Sequence, residues 1–203
     1  MKFSSLEMKE LLKAWIAIAL AFAILYSFDL SQLSIAPTPG KLVFHPMNFL
    51  TFFGISLFTV GIGFLLHELG HKVVAQRYGA RAEFRAFNGM LLLAIGMSFF
   101  GFLLAAPGAV FIQGRLSRNQ HGKIALAGPL VNLILALGFL VFLIFIPGNL
   151  LLKFGFSINA WLAIFNMLPF MPFDGVKILH WNKLIYFFVV LLSLGLTIAS
   201  FVY

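Results

Sequence analysis

Cysteine is absent from this chain of 203 residues, so no disulfide framework supports it and no thiolate can ligate a metal. Acidic residues are almost as scarce: four glutamates (Glu7, Glu10, Glu68, Glu83) and two aspartates (Asp29, Asp174) stand against 14 lysines and arginines. Internal repeats and low-complexity tails are missing too. Charged residues make up 10% of the chain and hydrophobic ones 62%, and the mean hydropathy is +1.03. That apolar content exceeds what a soluble domain of this size could bury, which leaves an integral membrane protein. The net charge of +8 does not argue for nucleic acid, because the basic residues are spread over short loops, as they are beside anionic lipid headgroups.

Apolar runs recur at Ala14–Tyr26, Met47–Leu66, Ile124–Ile146, Phe154–Phe170 and Leu184–Val202, with a further one at Met90–Ile112. The first is short enough for a signal-peptide core, but no A-x-A cleavage site follows it, so an uncleaved helix is expected. Ala36–Lys41 (APTPGK) reads as a loop. Ala80–Phe87 (ARAEFRAF) alternates small or apolar with charged residues and reads as a short strand at the membrane surface.

Lys2, Lys9 and Lys13 precede the first run and only Lys41 lies between the first two, which puts the N-terminus in the cytoplasm. The run ending near Lys72, Arg77, Arg81 and Arg85 then ends there as well. Met90–Ile112 has the length of a span but is broken by Gly96, Gly101 and Pro107-Gly108. If it crosses, Arg115, Arg118, Lys123, Lys177 and Lys183 fall outside; if it enters and returns, they stay inside. Charge favours the return. The expectation is an all-α polytopic protein with about five transmembrane helices plus a re-entrant or hairpin segment. It forms a single domain over 1–203, with core spans near 47–77, 122–146 and 154–175 and flanking spans near 10–28 and 183–203.

Directly after the second run, at the cytoplasmic end of that span, stands HELGH, the pattern H-E-x-x-H. On a helix His67 and His71 lie one turn apart on one face, so both imidazoles can reach one metal ion. Glu68 sits about 100° round the helix, placed to address the attacking water rather than the ion. Ionisable groups this close to an apolar run are costly and face partners or a wet cavity. Catalytic zinc takes three protein ligands and leaves a position for water. Of the remaining carboxylates, Asp29 is expected outside, Glu83 lies in a charged surface stretch, and Glu7 and Glu10 belong to the N-terminal arm. Asp174, level with HELGH in the five-span topology, is the best third ligand. Pro169 and Pro172 interrupt the helix before it and let the chain bend toward the ion. His45, His121 and His180 have no carboxylate or histidine at ligand spacing and receive no role.

Three pieces, HELGH at 67–71, AGPLVN at 127–132 and NMLPFMPFDG at 166–175, resemble in form and order the core of the site-2 protease family, the intramembrane zinc metalloproteases. The resemblance implies one zinc ion held by His67, His71 and Asp174, with Glu68 as general base. It also implies that Asn166 helps place the substrate or stabilise the oxyanion. Gly128, Pro129 and Asn132 look like the family's helix motif and read as packing near the site, although Pro129 fits a first helical turn equally well. Met90–Ile112 departs from the family pattern, and with no regulatory domain such as a PDZ domain expected, gating by one does not carry over.

The implied function is hydrolysis of peptide bonds in or near transmembrane segments of membrane-protein substrates, as in regulated intramembrane proteolysis. It would take place in the cell membrane with the active site toward the cytoplasm. Two rivals stay open: a membrane zinc hydrolase acting on a lipid or small molecule, and a metal-ion transporter using the same ligands, which would leave Glu68 without a task.

Overall fold

The computed structural model describes residues 2–27, 45–101, 103 and 107–202. Asp29, the loop at 36–41 and part of the segment before Pro107 lie outside the described residues. Helix α1 (Ser5–Ser27) comes first. Helices α2 (Pro46–Ser56) and α3 (Ile62–Arg77) form one helical run of 32 residues, joined by a π-helical turn at Leu57–Gly61. A π turn leaves a backbone carbonyl to be satisfied from outside the ladder. Here the Trp15 indole Nε1 donates to the Leu57 carbonyl at 3.0 Å.

Strands β1 (Arg81–Ala86) and β2 (Gly108–Gln113) pair antiparallel, from Arg81 opposite Gln113 to Ala86 opposite Gly108. This two-stranded sheet is the departure from an all-helical expectation, and β1 occupies the stretch read as a strand. Between the strands runs α4 (Asn88–Ser98), whose 11 residues extend only about 16 Å, too short for a hydrocarbon core of about 30 Å. Because β2 pairs back onto β1, the segment ends where it began.

Helix α5 (Arg118–Phe145) opens on a capping box in which Ser117 Oγ accepts from the Gln120 backbone and Gln120 Oε1 accepts from the Ser117 backbone. Pro129 therefore lies well inside α5, not in its first turn. Asn149 caps α6 (Leu150–Asn166), and α7 (Asp174–Trp181) and α8 (Lys183–Ala199) follow. Asn166 ends one helix and Asp174 begins the next, so the span expected at 154–175 is a helix and then a bend.

Small residues let the helices approach closely. Ala136, Ala160 and Ala163 are fully buried between α5, α6 and α8. A Cβ at Gly155 would lie 2.6 Å from the Phe139 ring. The outward faces are apolar: Ile134, Phe142 and Phe145 on α5 and Leu184, Phe188 and Leu191 on α8 are all exposed. Contiguous apolar surface of this extent fits contact with lipid.

Candidate metal centre

Helix α3 presents His67 and His71 on one face, and α7 brings Asp174 to them; all three are buried. The Asp174 Oδ2 atom lies 3.0 Å from His71 Nε2 and 3.4 Å from His67 Nε2, and the two Nε2 atoms are 3.1 Å apart. Asp174 also stands in the first turn of α7, where the helix dipole favours a carboxylate. Its other oxygen, Oδ1, accepts from Lys177 Nζ at 3.2 Å.

The far side of each imidazole is committed. His67 Nδ1 is 2.6 Å from Asn132 Oδ1, and His71 Nδ1 is 2.7 Å from the Ile124 carbonyl oxygen. Carbonyl oxygens only accept, so both Nδ1 atoms carry the proton and both Nε2 atoms present lone pairs. Two lone pairs and a carboxylate oxygen thus converge with no donor among them, an arrangement that a cation resolves.

The donor set fits zinc. Two imidazoles and one carboxylate are ligands that zinc takes in catalytic sites, and a tetrahedral ion with bonds of about 2.0–2.1 Å separates its ligands by about 3.3 Å. The space is kept open by Gly128 of α5, where an added Cβ would lie 2.5 Å from His67 Nε2 and 2.6 Å from His67 Cε1 and would meet His71 Nε2 as well.

Glu68 is buried and takes no hydrogen bond or ion pair from the described residues. With His67, His71 and Asp174 it lines a cavity of about 790 Å³ whose other walls are largely apolar side chains of α1, α3, α6 and the segment around β2. Asn166 lines the same cavity, its Nδ2 donating to the Leu162 carbonyl at 2.8 Å. His121 also reaches the wall, whereas His180 bonds its own helix and His45 is exposed. Of the other carboxylates among the described residues, Glu7 is buried against Lys72, Glu10 bonds Lys13, and Glu83 bonds Ser4 and Arg85. Sequence reasoning gave Asn132 a packing role and overlooked Asn159. The signal was there: both are uncharged polar groups in apolar runs, where an unsatisfied amide is costly.

Residues 55–153, which include the histidine motif, match peptidase family M50. Over 174 residues the chain is 47% identical to a protein of Methanocaldococcus jannaschii named "Putative zinc metalloprotease MJ0611", an alignment covering 82% of this chain and 91% of that one. The chain belongs to peptidase family M50. As a member of this membrane-embedded family of site-2 proteases, it is a zinc metalloprotease. A second M. jannaschii protein, "Zinc metalloprotease MJ0392", is 32% identical over 138 residues, covering 66% of this chain and 36% of that longer protein. No solved structure matches.

Proposed function

We propose that this M50 protease hydrolyses peptide bonds within or beside transmembrane segments of membrane-protein substrates. In this reading His67, His71 and Asp174 are the metal ligands, Glu68 is the general base and Asn166 is an oxyanion donor. The observation that carries the reading is the convergence of three acceptor atoms beside an unengaged carboxylate, on the wall of a mostly apolar cavity. A soluble peptide needs no apolar cavity, whereas a segment drawn from lipid does. The chain is read as one domain crossing the cell membrane about five times, near 10–28, 47–77, 122–146 and 183–203 and, for the span expected at 154–175, through α6 (Leu150–Asn166) alone, with its N-terminus and active site toward the cytoplasm.

When bound, zinc supplies Lewis-acid polarisation of the scissile carbonyl and makes water acidic enough to attack at neutral pH. Glu68 takes the proton of the attacking water and hands it to the leaving amine. For Asn166, releasing Leu162 and turning its Nδ2 inward gives the developing oxyanion a donor. A substrate helix must unwind before its carbonyl is accessible, because its own hydrogen bonds shield it. Strand β2 pairs with β1 through one edge, and Gly108, Ala109, Val110 and Ile112 line the cavity. An extended substrate segment beside β2 would recover there the backbone hydrogen bonds it lost on unwinding.

The test is cleavage of a membrane-spanning substrate by purified wild type and Glu68→Gln, with zinc content measured in both. The variant is expected to keep its zinc and lose about 10²- to 10⁴-fold in rate. Full cleavage by zinc-loaded Glu68→Gln would sink the mechanism. Zinc movement across vesicles without cleavage would point to transport instead.

A further inference from the structure

Behind the metal centre two asparagines are completely buried, Asn132 on α5 and Asn159 on α6. They form one directed chain of hydrogen bonds. Asn159 Nδ2 donates to the Gly155 carbonyl at 2.9 Å, Asn159 Oδ1 accepts from Asn132 Nδ2 at 3.0 Å, and Asn132 Oδ1 accepts from His67 Nδ1 at 2.6 Å. Asn132 Nδ2 also faces the Gly63 carbonyl at 3.3 Å.

The direction of this chain is forced. The Gly155 and Gly63 carbonyls can only accept, so the nitrogen of each amide must turn toward them. Asn159 then presents oxygen to Asn132, and Asn132 presents oxygen to His67. Turning either amide over would set nitrogen against nitrogen or oxygen against oxygen between fully buried groups, at the cost of unpaired donors and acceptors. Gly63, one turn before His67 on α3, makes room for this: a Cβ there would lie 2.5 Å from Asn159 Oδ1.

We propose that Asn159 is a positioning residue for the metal: through Asn132 it fixes the proton of His67 on Nδ1 and keeps Nε2 free to ligate. With the Asn159 amide removed, only the longer contact to the Gly63 carbonyl, 3.3 Å, still holds Asn132; an Asn132 that turns over sets its nitrogen against His67 and favours the tautomer whose proton sits on Nε2, where the ion must bind. Groups that orient a ligating histidine in this way typically contribute 10- to 100-fold in metal affinity. The proposal rests on the reading of His67 as a ligand and adds to it a residue from a helix that carries no ligand.

The experiment is zinc affinity of the purified full chain in detergent, by competition with a chromogenic chelator, together with the absorption spectrum of the cobalt-substituted protein. Asn159→Leu, similar in volume, is expected to bind zinc about 10- to 100-fold more weakly and to shift the cobalt bands. Asn159→Asp, which retains an oxygen toward Asn132, is expected to bind closer to wild type than to Asn159→Leu. The double variant with Asn132→Leu is expected to bind no more weakly than Asn132→Leu alone, since the two amides act in series. Wild-type affinity and spectrum in Asn159→Leu, or additive losses in the double variant, would overturn the proposal. If Asn159→Leu does not fold, the Asp variant decides: a cobalt spectrum and affinity matching Asn132→Leu would overturn it. Failure of the underlying reading looks different, because then His67→Ala would bind zinc as wild type does.

Discussion

At the scale of single residues, the metal centre depends as much on what is missing as on what is present. Gly128 faces both imidazoles at a distance where no side chain fits. Gly128→Ala is therefore expected to push His67 and His71 apart and reduce zinc content at least about tenfold. Gly138→Ala, on the same helix with open space around the site of the added methyl, is expected to leave zinc content unchanged. Zinc measured per mole of folded protein checks both. The histidine motif itself was legible from spacing, and Asp174 from a shortage: with six carboxylates in the chain, elimination leaves few partners. Gly128 was legible as packing near the site and Asn159 only as a polar group in an apolar run; what either touches was not. Their roles are contacts across helices, and nothing in a linear pattern says that position 63 will pack on position 159.

Between elements, the N-terminal end of α1 is fastened to the helix that carries the histidines. Lys72 follows His71 directly, and both Lys72 and Glu7 are 1% exposed. Lys72 Nζ donates to Glu7 Oε1 at 2.6 Å and to the Ala82 carbonyl at 3.0 Å, and lies 4.5 Å from the centre of the Phe3 ring. Glu7 Oε1 also accepts from the Phe84 backbone at 2.9 Å, which ties β1 into the same junction. One ion pair thus fixes α1, α3 and β1 together. Such a pair adds little net stability against an apolar substitute, but breaking it strands a buried charge at a cost of about 3–5 kcal/mol. Glu7→Ala is expected to lower the thermal unfolding midpoint sharply, while Glu7→Leu with Lys72→Met recovers most of the loss. Equal midpoints for the single and double variants would contradict this. From the sequence Glu7 belonged to the N-terminal arm and Lys72 to the approach of the cytoplasmic interface, because a pair separated by 65 positions leaves no local pattern.

For the whole molecule, hydropathy located the long helices but left Met90–Ile112 ambiguous, since an apolar run gives the same profile whether it crosses or turns back, and only the distribution of lysine and arginine favoured the return. A backbone pairing supports the return. Ala86 lies opposite Gly108, so the chain enters and leaves the intervening segment at neighbouring points. Both ends of that segment must then sit at the same depth and on the same face of any bilayer. The proposed five-span arrangement rests on this constraint and on the distribution of lysine and arginine, and in it Arg115, Arg118 and Lys123 would lie on the side of HELGH. Asp174 lies within 3.4 Å of His67, so α7 belongs to that side as well. A topology reporter inserted between Arg115 and Arg118, ahead of most of α5, is expected to report the cytoplasm, as is one at the N-terminus. One fused after Tyr203 is expected to report the outside. An external signal from the 115–118 insertion would put the start of α5 across the membrane from the histidines it packs against, and the five-span reading would fall with it.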